Sequence, residues 1–288
     1  MHRPRPLAAV LCLAVALPQI AAGSPRPGVV DQVGRAVSPG PANRIVPLMP
    51  DVTELVFALG AGARVVAVPP AADYPQEVNL LPRVAAGDVE GLVAARPDLV
   101  LASTAGNDPR VVERLAELGV RVCTLDVTSC ERLAEAARLV GGLLGRSADG
   151  AALAARIGSR CRAAAARATT LPARRALYVV WWEPLIVAAP GTFHDDLLQH
   201  ARLVNLAPAG AGRYPRVDPE LLLDPRLEVI VAADEPDLRE GVGRSRVLAR
   251  VRDGAVRLHW LPAAEASRPG PRLPDALDAL VAARTENP

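Results

Sequence analysis

The stretch that most constrains this chain is Ser147 to Arg167, SADGAALAARIGSRCRAAAAR. Its many alanines, with Leu153, Ile157, Cys161, Ala164 and Ala168 three to four residues apart, predict one long helix with a single buried stripe. Ser147 or Asp149 is placed to cap its start, and Pro172 follows its end. On either side lie runs of strand-like and helix-like segments, and the two runs resemble each other. A single helix joining two similar α/β halves is a stiff spine. It leaves a cleft between the halves, and the cleft is where function is expected.

The chain has 288 residues, enough for one large or two small globular units. Its formal net charge of +2 argues against a general nucleic-acid binder. All 33 basic residues are Arg, so a Walker-type phosphate loop, a Schiff base and a Ser–Lys dyad are excluded. At the start, Arg3 and Arg5 precede the apolar run Leu7–Ile20, and Ala21-Ala22-Gly23 offers small residues for cleavage. That is the pattern of a signal peptide over residues 1–23, and the run is short for a membrane span. Cys12 follows Leu11 inside the run, which makes it a poor lipoprotein acceptor. The mature protein is expected in the periplasm without a membrane anchor.

Cys123, Cys130 and Cys161 remain after cleavage. An odd count in an oxidising compartment allows one bridge and one free thiol, and Cys123 with Cys130 is one such pairing. Three small buried hydrophobes is the equal alternative.

Residues 24–43, rich in Pro and Gly, read as a disordered leader. An N-terminal α/β lobe is expected over 44–146, the connecting helix over 147–170 and a C-terminal α/β lobe over 171–288. In the first lobe RIVPLMP reads as a strand, with Asp51 and Glu54 as the capping box of the next helix. Thr128 and Glu131 form a second such box. In the second lobe Arg175–Trp182 reads as a strand buried on both faces, and Thr192 caps TFHDDLLQHA. VEGLVAARPDLVLA and PELLLDPRLEVIVA repeat one phrase: a Glu at a helix start, an apolar turn, a Pro and a buried strand. Strands alternating with helices imply parallel sheets covered by helices.

Common catalytic signatures are missing. There is no G-x-S-x-G, and Gly60-Ala61-Gly62 and Gly241-Val242-Gly243 stand in the wrong context for dinucleotide binding. His194 and His200 are six apart and fall on different helix faces, and no His pair has metal-binding spacing. An exported α/β hydrolase using His194 or His259 lacks a nucleophile, and a sensory module of the same fold would leave the cleft empty. No intrinsic cofactor is expected, and the chain reads as a non-enzyme.

The run from Arg44 to Ser103, RIVPLMPDVTELVFALGAGARVVAVPPAADYP and onward through GDVEGLVAARPDLVLAS, resembles the first lobe of the vitamin B12, heme and siderophore receptors. TFHDDLL, RYPRVDPELLL and ASRPGPRL resemble the second lobe. These receptors are the substrate-binding proteins of ABC importers of the helical-backbone class. The resemblance implies two Rossmann-like lobes joined by a long helix, a monomer that captures a metal chelate, and delivery to a permease dimer with its ATPase. It places the permease-docking carboxylates of that family on Glu90 and Glu220, one per lobe. Such exposed charges give register and steer encounter. The alternative for each is service to a helix N-terminus.

The family's cleft is lined by loops at the C-terminal ends of strands. Here those loops hold Tyr74, Ser103, Asn107, Trp181, Trp182, Tyr214 and Arg268, the expected ligand-binding set. Tyr and Trp suit a large flat ligand, and Arg268 would meet a carboxylate or phosphate. Aromatic positions of the vitamin B12 receptors fall on Ala71, Val84, Ser103 and Glu265, with only Tyr214 keeping an aromatic. LPRVAAG lacks the Tyr that heme receptors place nearby, and Arg213, Arg268 and Arg272 are the only arginines suited to a siderophore. His194 is the weak candidate for a cobalt or iron ligand. The resulting expectation is cobalamin or another corrinoid, with an iron–siderophore or heme as the alternative.

Overall fold

The computed structural model describes residues 28–286, so the signal-peptide reading of residues 1–23 lies outside the described residues. The N-terminal lobe begins with a hairpin of β1 (Val29–Val30) and β2 (Ala36–Val37). It continues through β3 (Ile45–Pro47), α1 (Pro50–Ala58), α2 (Val89–Ala94), β4 (Leu99–Ser103), α3 (Pro109–Glu117), β5 (Val122–Leu125) and α4 (Cys130–Leu143). The spine is α5 (Ser147–Ala168). The C-terminal lobe follows with β6 (Arg174–Trp181), β7 (Ile186–Val187), α6 (Phe193–His200), β8 (Leu203–Asn205) and β9 (Val229–Ala233). It closes with α7 (Pro236–Arg244), α8 (Val247–Arg252), β10 (Arg257–Leu261), α9 (Ala263–Ala266) and α10 (Leu273–Glu286).

Each lobe is built on a parallel sheet. In the first, β3, β4 and β5 lie side by side, and single parallel bridges from Ile45 to Val65 and from Val68 to Arg83 extend the sheet past β3. In the second, β10, β9, β6 and β8 are parallel, while β7 runs antiparallel along the far end of β6. β4 and β9 are fully buried, which is why LVLAS and VIVAA carry no polar alternation.

Residues 28–43 are not a loose leader. The buried Asp31 carboxylate accepts from the backbone N–H groups of Val33, Arg35 and Thr124, so the hairpin is tied to β5. Gln32 adds a bond from the Asp126 N–H and one to the Arg132 carbonyl. Pro and Gly richness hid an anchor made by one buried acid.

Two caps also differ from expectation. Met49 precedes α1, so Asp51 and Glu54 sit inside the helix, both buried. Ser129, not Thr128, caps α4 by accepting from the Arg132 N–H. Thr192 does cap α6, accepting from the Asp195 N–H. Neither Ser147 nor Asp149 caps α5, since the Asp149 carboxylate pairs with Arg146 instead.

The spine buries Leu153, Ala154, Ile157, Cys161, Ala164 and Ala168 between α4 of one lobe and α10 of the other. Arg160 pairs with Asp275 and Asp278, and Arg167 with Asp278, so α5 and α10 are also joined by charge. The disulfide is Cys130–Cys161, linking the start of α4 to the middle of α5. The Cys123–Cys130 pairing is therefore corrected: Cys123 points into the N-lobe core, where burial pushes its thiol up to about 12.

Candidate ligand-binding cleft

The two lobes face each other through the loops that follow their parallel strands, where open α/β sheets present ligand sites. A cavity of 520 Å³ lies between them. Met49, Pro50 and Asp51 after β3, the loop Pro69–Ala71, Ala85, Ala86 and Ala105 form the N-lobe wall. Val180 at the end of β6, Phe193 and His194 at the start of α6, Tyr214 and Ser267–Pro269 form the other wall.

Aromatic packing fixes the C-lobe wall. The His194 ring centroid is 3.7 Å from Phe193, 4.1 Å from Tyr178 and 5.7 Å, edge-on, from Tyr214. Tyr178 is itself held by donating its hydroxyl to the Ala266 carbonyl at 3.0 Å. The Tyr214 hydroxyl lies 3.5 Å from His194 Nδ1. Burial pushes the imidazole down to about 3, against a hydrogen bond to the Ala266 backbone, so His194 is neutral at physiological pH. Burial pushes the Tyr214 phenol up to about 12, so it too is neutral. His194 is thus a buried residue of the cleft wall.

On the N-lobe wall Asp51 is 4% exposed. Burial, joined by the neighbouring Glu54, pushes its carboxyl up to about 6 in spite of hydrogen bonds from its own and the Val52 N–H and from the Ser103 hydroxyl. The rim is spanned by ion pairs between lobes. Arg268 makes a forked contact with Asp73 at 2.5 and 3.2 Å and approaches Glu54 at 3.6 Å. Arg272 grips both Glu54 oxygens at 2.9 and 2.7 Å and also pairs with Glu265. On the other flank Arg213 takes both Asp126 oxygens at 2.8 and 3.2 Å.

Of the expected ligand-binding residues, Tyr214 and Arg268 stand in the cavity wall together with His194. Ser103 is fully buried beneath it, against Asp51. Asn107 turns back, its Oδ1 accepting from the Ser103 N–H at 2.8 Å, and closes the turn after β4. Tyr74 is on the rim with the Arg272 guanidinium 4.2 Å above its ring.

The two tryptophans lie elsewhere. Val180 is the β6 residue that reaches the cleft. Trp181 is 42% exposed, its indole N–H donating to the Glu183 carbonyl. Trp182 lies flat on Gly241 of α7, where any Cβ would collide with its ring, and lines a separate 880 Å³ cavity on the outside of the C-terminal lobe. Asp51, read from sequence as a helix cap, and Phe193 are wall residues outside the expected ligand-binding set. The signal was the position of Asp51 just past a parallel strand, which the capping reading obscured.

Residues 45–256 match the family model described as periplasmic binding protein. The chain belongs to that family. It is 27% identical to the vitamin B12-binding protein of Vibrio cholerae serotype O1 over 248 residues, covering 83% of this chain and 88% of the relative. Its structure superposes on the crystal structure of the periplasmic vitamin B12 binding protein BtuF of Vibrio cholerae with a TM-score of 0.73, at 25% identity, over 85% of this chain and 98% of that one. A periplasmic heme-binding protein from Pseudomonas aeruginosa matches at a TM-score of 0.73 and 29% identity, over 85% and 93% of the two chains. The fold is that of the class III binding proteins, two α/β lobes on one helical spine. The family binds rather than catalyses, which sets the hydrolase reading aside.

Proposed function

We propose that this chain is the periplasmic receptor of an ABC importer and that its cargo is a corrinoid, the cobalt tetrapyrrole of the vitamin B12 class. The observation that carries the choice is the charge in the cleft. Arg268 is the one guanidinium in the cavity wall among the described residues, and Asp73 and Glu54 already engage it. The remaining wall is mainly Pro, Ala, Val, Met and aromatic surface, which suits a broad flat ligand with uncharged edges. The vitamin B12-binding relatives point the same way.

Heme is the second reading, favoured by the neutral His194 and Tyr214 facing one cavity as nitrogen and oxygen donors. Its propionates would have to displace Asp73 or Asp126 from their arginines. A ferric siderophore rich in acids meets the same obstacle, since Arg213, Arg268 and Arg272 are all paired.

The permease-docking role of Glu90 and Glu220 belongs to the same proposal. Neither forms an ion pair among the described residues. The helix-end service is done by their neighbours: Asp88 accepts from the Gly91 N–H and Asp218 from the Glu220 N–H. The acids at 90 and 220 are left for an outside partner.

The test is visible absorption of the purified protein after incubation with cyanocobalamin, hemin or a ferric siderophore and desalting. Retention of cobalamin colour at unit stoichiometry is expected. Retention of hemin alone would keep the receptor assignment and overturn the corrinoid.

A further inference from the structure

Around Asp51 stand Glu54, Asp73 and Glu265 against two guanidiniums, Arg268 and Arg272. Both guanidiniums are held by the last three acids. Asp51 is the one of these four acids that makes no ion pair with either guanidinium, and it is the carboxyl in the wall of the cavity itself. Among the described residues its donors are the Ser103 hydroxyl and the first amides of α1, all on its own side of the cleft. The facing loop approaches closely without a side chain, since a Cβ at Gly270 would sit 3.5 Å from that of Asp51.

A carboxylate in an apolar wall acts on a ligand in two ways. It rewards a hydrogen-bond donor, because a charge-assisted bond is stronger than a neutral one and the site excludes water. It rejects a carboxylate, because like charges brought together where water is displaced are strongly unfavourable. We propose that Asp51 is a specificity-determining residue that selects tetrapyrroles whose peripheral groups are primary amides over those whose peripheral groups are carboxylic acids. This deepens the corrinoid reading and rests on it. His194 and Tyr214 line the opposite wall uncharged, so the carboxylate of Asp51 faces no formal charge from them.

Two corrins with the same ring separate the effects: dicyanocobinamide, whose edge carries amides, and dicyanocobyrinic acid, whose edge carries acids. Titrations followed by tryptophan fluorescence and by retained visible colour near pH 7.5 give both affinities. The wild-type protein is expected to favour dicyanocobinamide by about tenfold or more, the size of one charge-assisted hydrogen bond. Asp51→Ser is expected to bring the two within about threefold, and isosteric Asp51→Asn to do the same if the Ser variant folds poorly. Corrin binding by the wild type with equal affinities, or with a ratio that both variants leave unchanged, overturns the role of Asp51 and leaves the corrinoid reading standing. Failure of the wild type to bind either corrin overturns both.

Discussion

Asp51 carries a cost in the empty protein as well as a preference for ligand. Its carboxyl titrates at about 6 in the fold against an ordinary 3.8, because burial outweighs its hydrogen bonds. From about pH 4 to 6 the folded chain holds a proton that the unfolded chain has released, so this group's contribution to stability falls as pH rises through that window. Above about pH 6 the cost is complete. Moving a titration midpoint by one pH unit on folding corresponds to about 1.4 kcal/mol, and Asn gives up some of the carboxylate's hydrogen bonds. Asp51→Asn is therefore expected to stabilise the protein by about 2 kcal/mol near pH 7.5 and by almost nothing near pH 4. Urea unfolding at both pH values measures the difference, and destabilisation at both would show that the hydrogen bonds outweigh the burial. The same residue marks how far single positions could be read from sequence. Tyr214 and Arg268 were legible as loop residues beyond strands. Trp182 was not, because its burial depends on Gly241, about sixty residues away in α7. Asp51 fits the local grammar of a cap, and only tertiary placement makes it a wall.

The long-range work falls on α4, α5 and α10. α5 was legible because its stripe has helical period and its composition is helix-forming. Its partners were not, since a repeat of apolar residues says that a face is covered but not by what. Contact with α4 is close enough to need two glycines. A Cβ on Gly150 would lie 2.7 Å from the Ala137 carbonyl oxygen and 3.1 Å from the Gly141 Cα. These are backbone atoms and cannot swing aside. Gly150→Ala is expected to cost about 2 kcal/mol despite the better helix propensity of Ala. Gly142, also on α4, has nothing within 4 Å of its Cβ position. Gly142→Ala should therefore gain up to about 1 kcal/mol, the ordinary helix preference. Thermal or urea melts of the two variants give opposite signs if helix approach is the cause. Cys130–Cys161 fastens this same contact, which explains why the neighbouring Cys123, facing the sheet core, takes no part.

At the scale of the whole molecule, the lobes are tied by the spine, by the rim pairs Arg268–Asp73 and Arg272–Glu54, and by Arg213–Asp126 on the opposite flank. The Cys130 N–H also bonds to Asp196 of α6, joining α4 to the other lobe behind the cleft. The back of the cleft is thus held by helices, and in the function proposed above a permease would recognise this protein through surface charge. The repeated phrase in the two halves is what the sequence contributes to that proposal. Each lobe carries an Asp that caps a helical turn and, two residues later, a Glu that makes no ion pair among the described residues: Asp88 with Glu90, Asp218 with Glu220. Neither Glu lines the cavity between the lobes, so the proposed docking can be tested apart from cargo binding. Glu90→Arg and Glu220→Arg are each expected to weaken association with the cognate permease by about 2 kcal/mol or more, roughly thirtyfold, through lost pairing and new repulsion. Corrinoid affinity should stay within about twofold of wild type, because charge outside the cavity is screened by salt over about 8 Å. The double variant should abolish stimulation of the transporter's ATPase in vesicles while still retaining cobalamin after desalting. The wild-type response should fall as salt is raised, as steering by exposed charge requires. Unaltered ATPase stimulation by the double variant would place the docking surface elsewhere on the lobes.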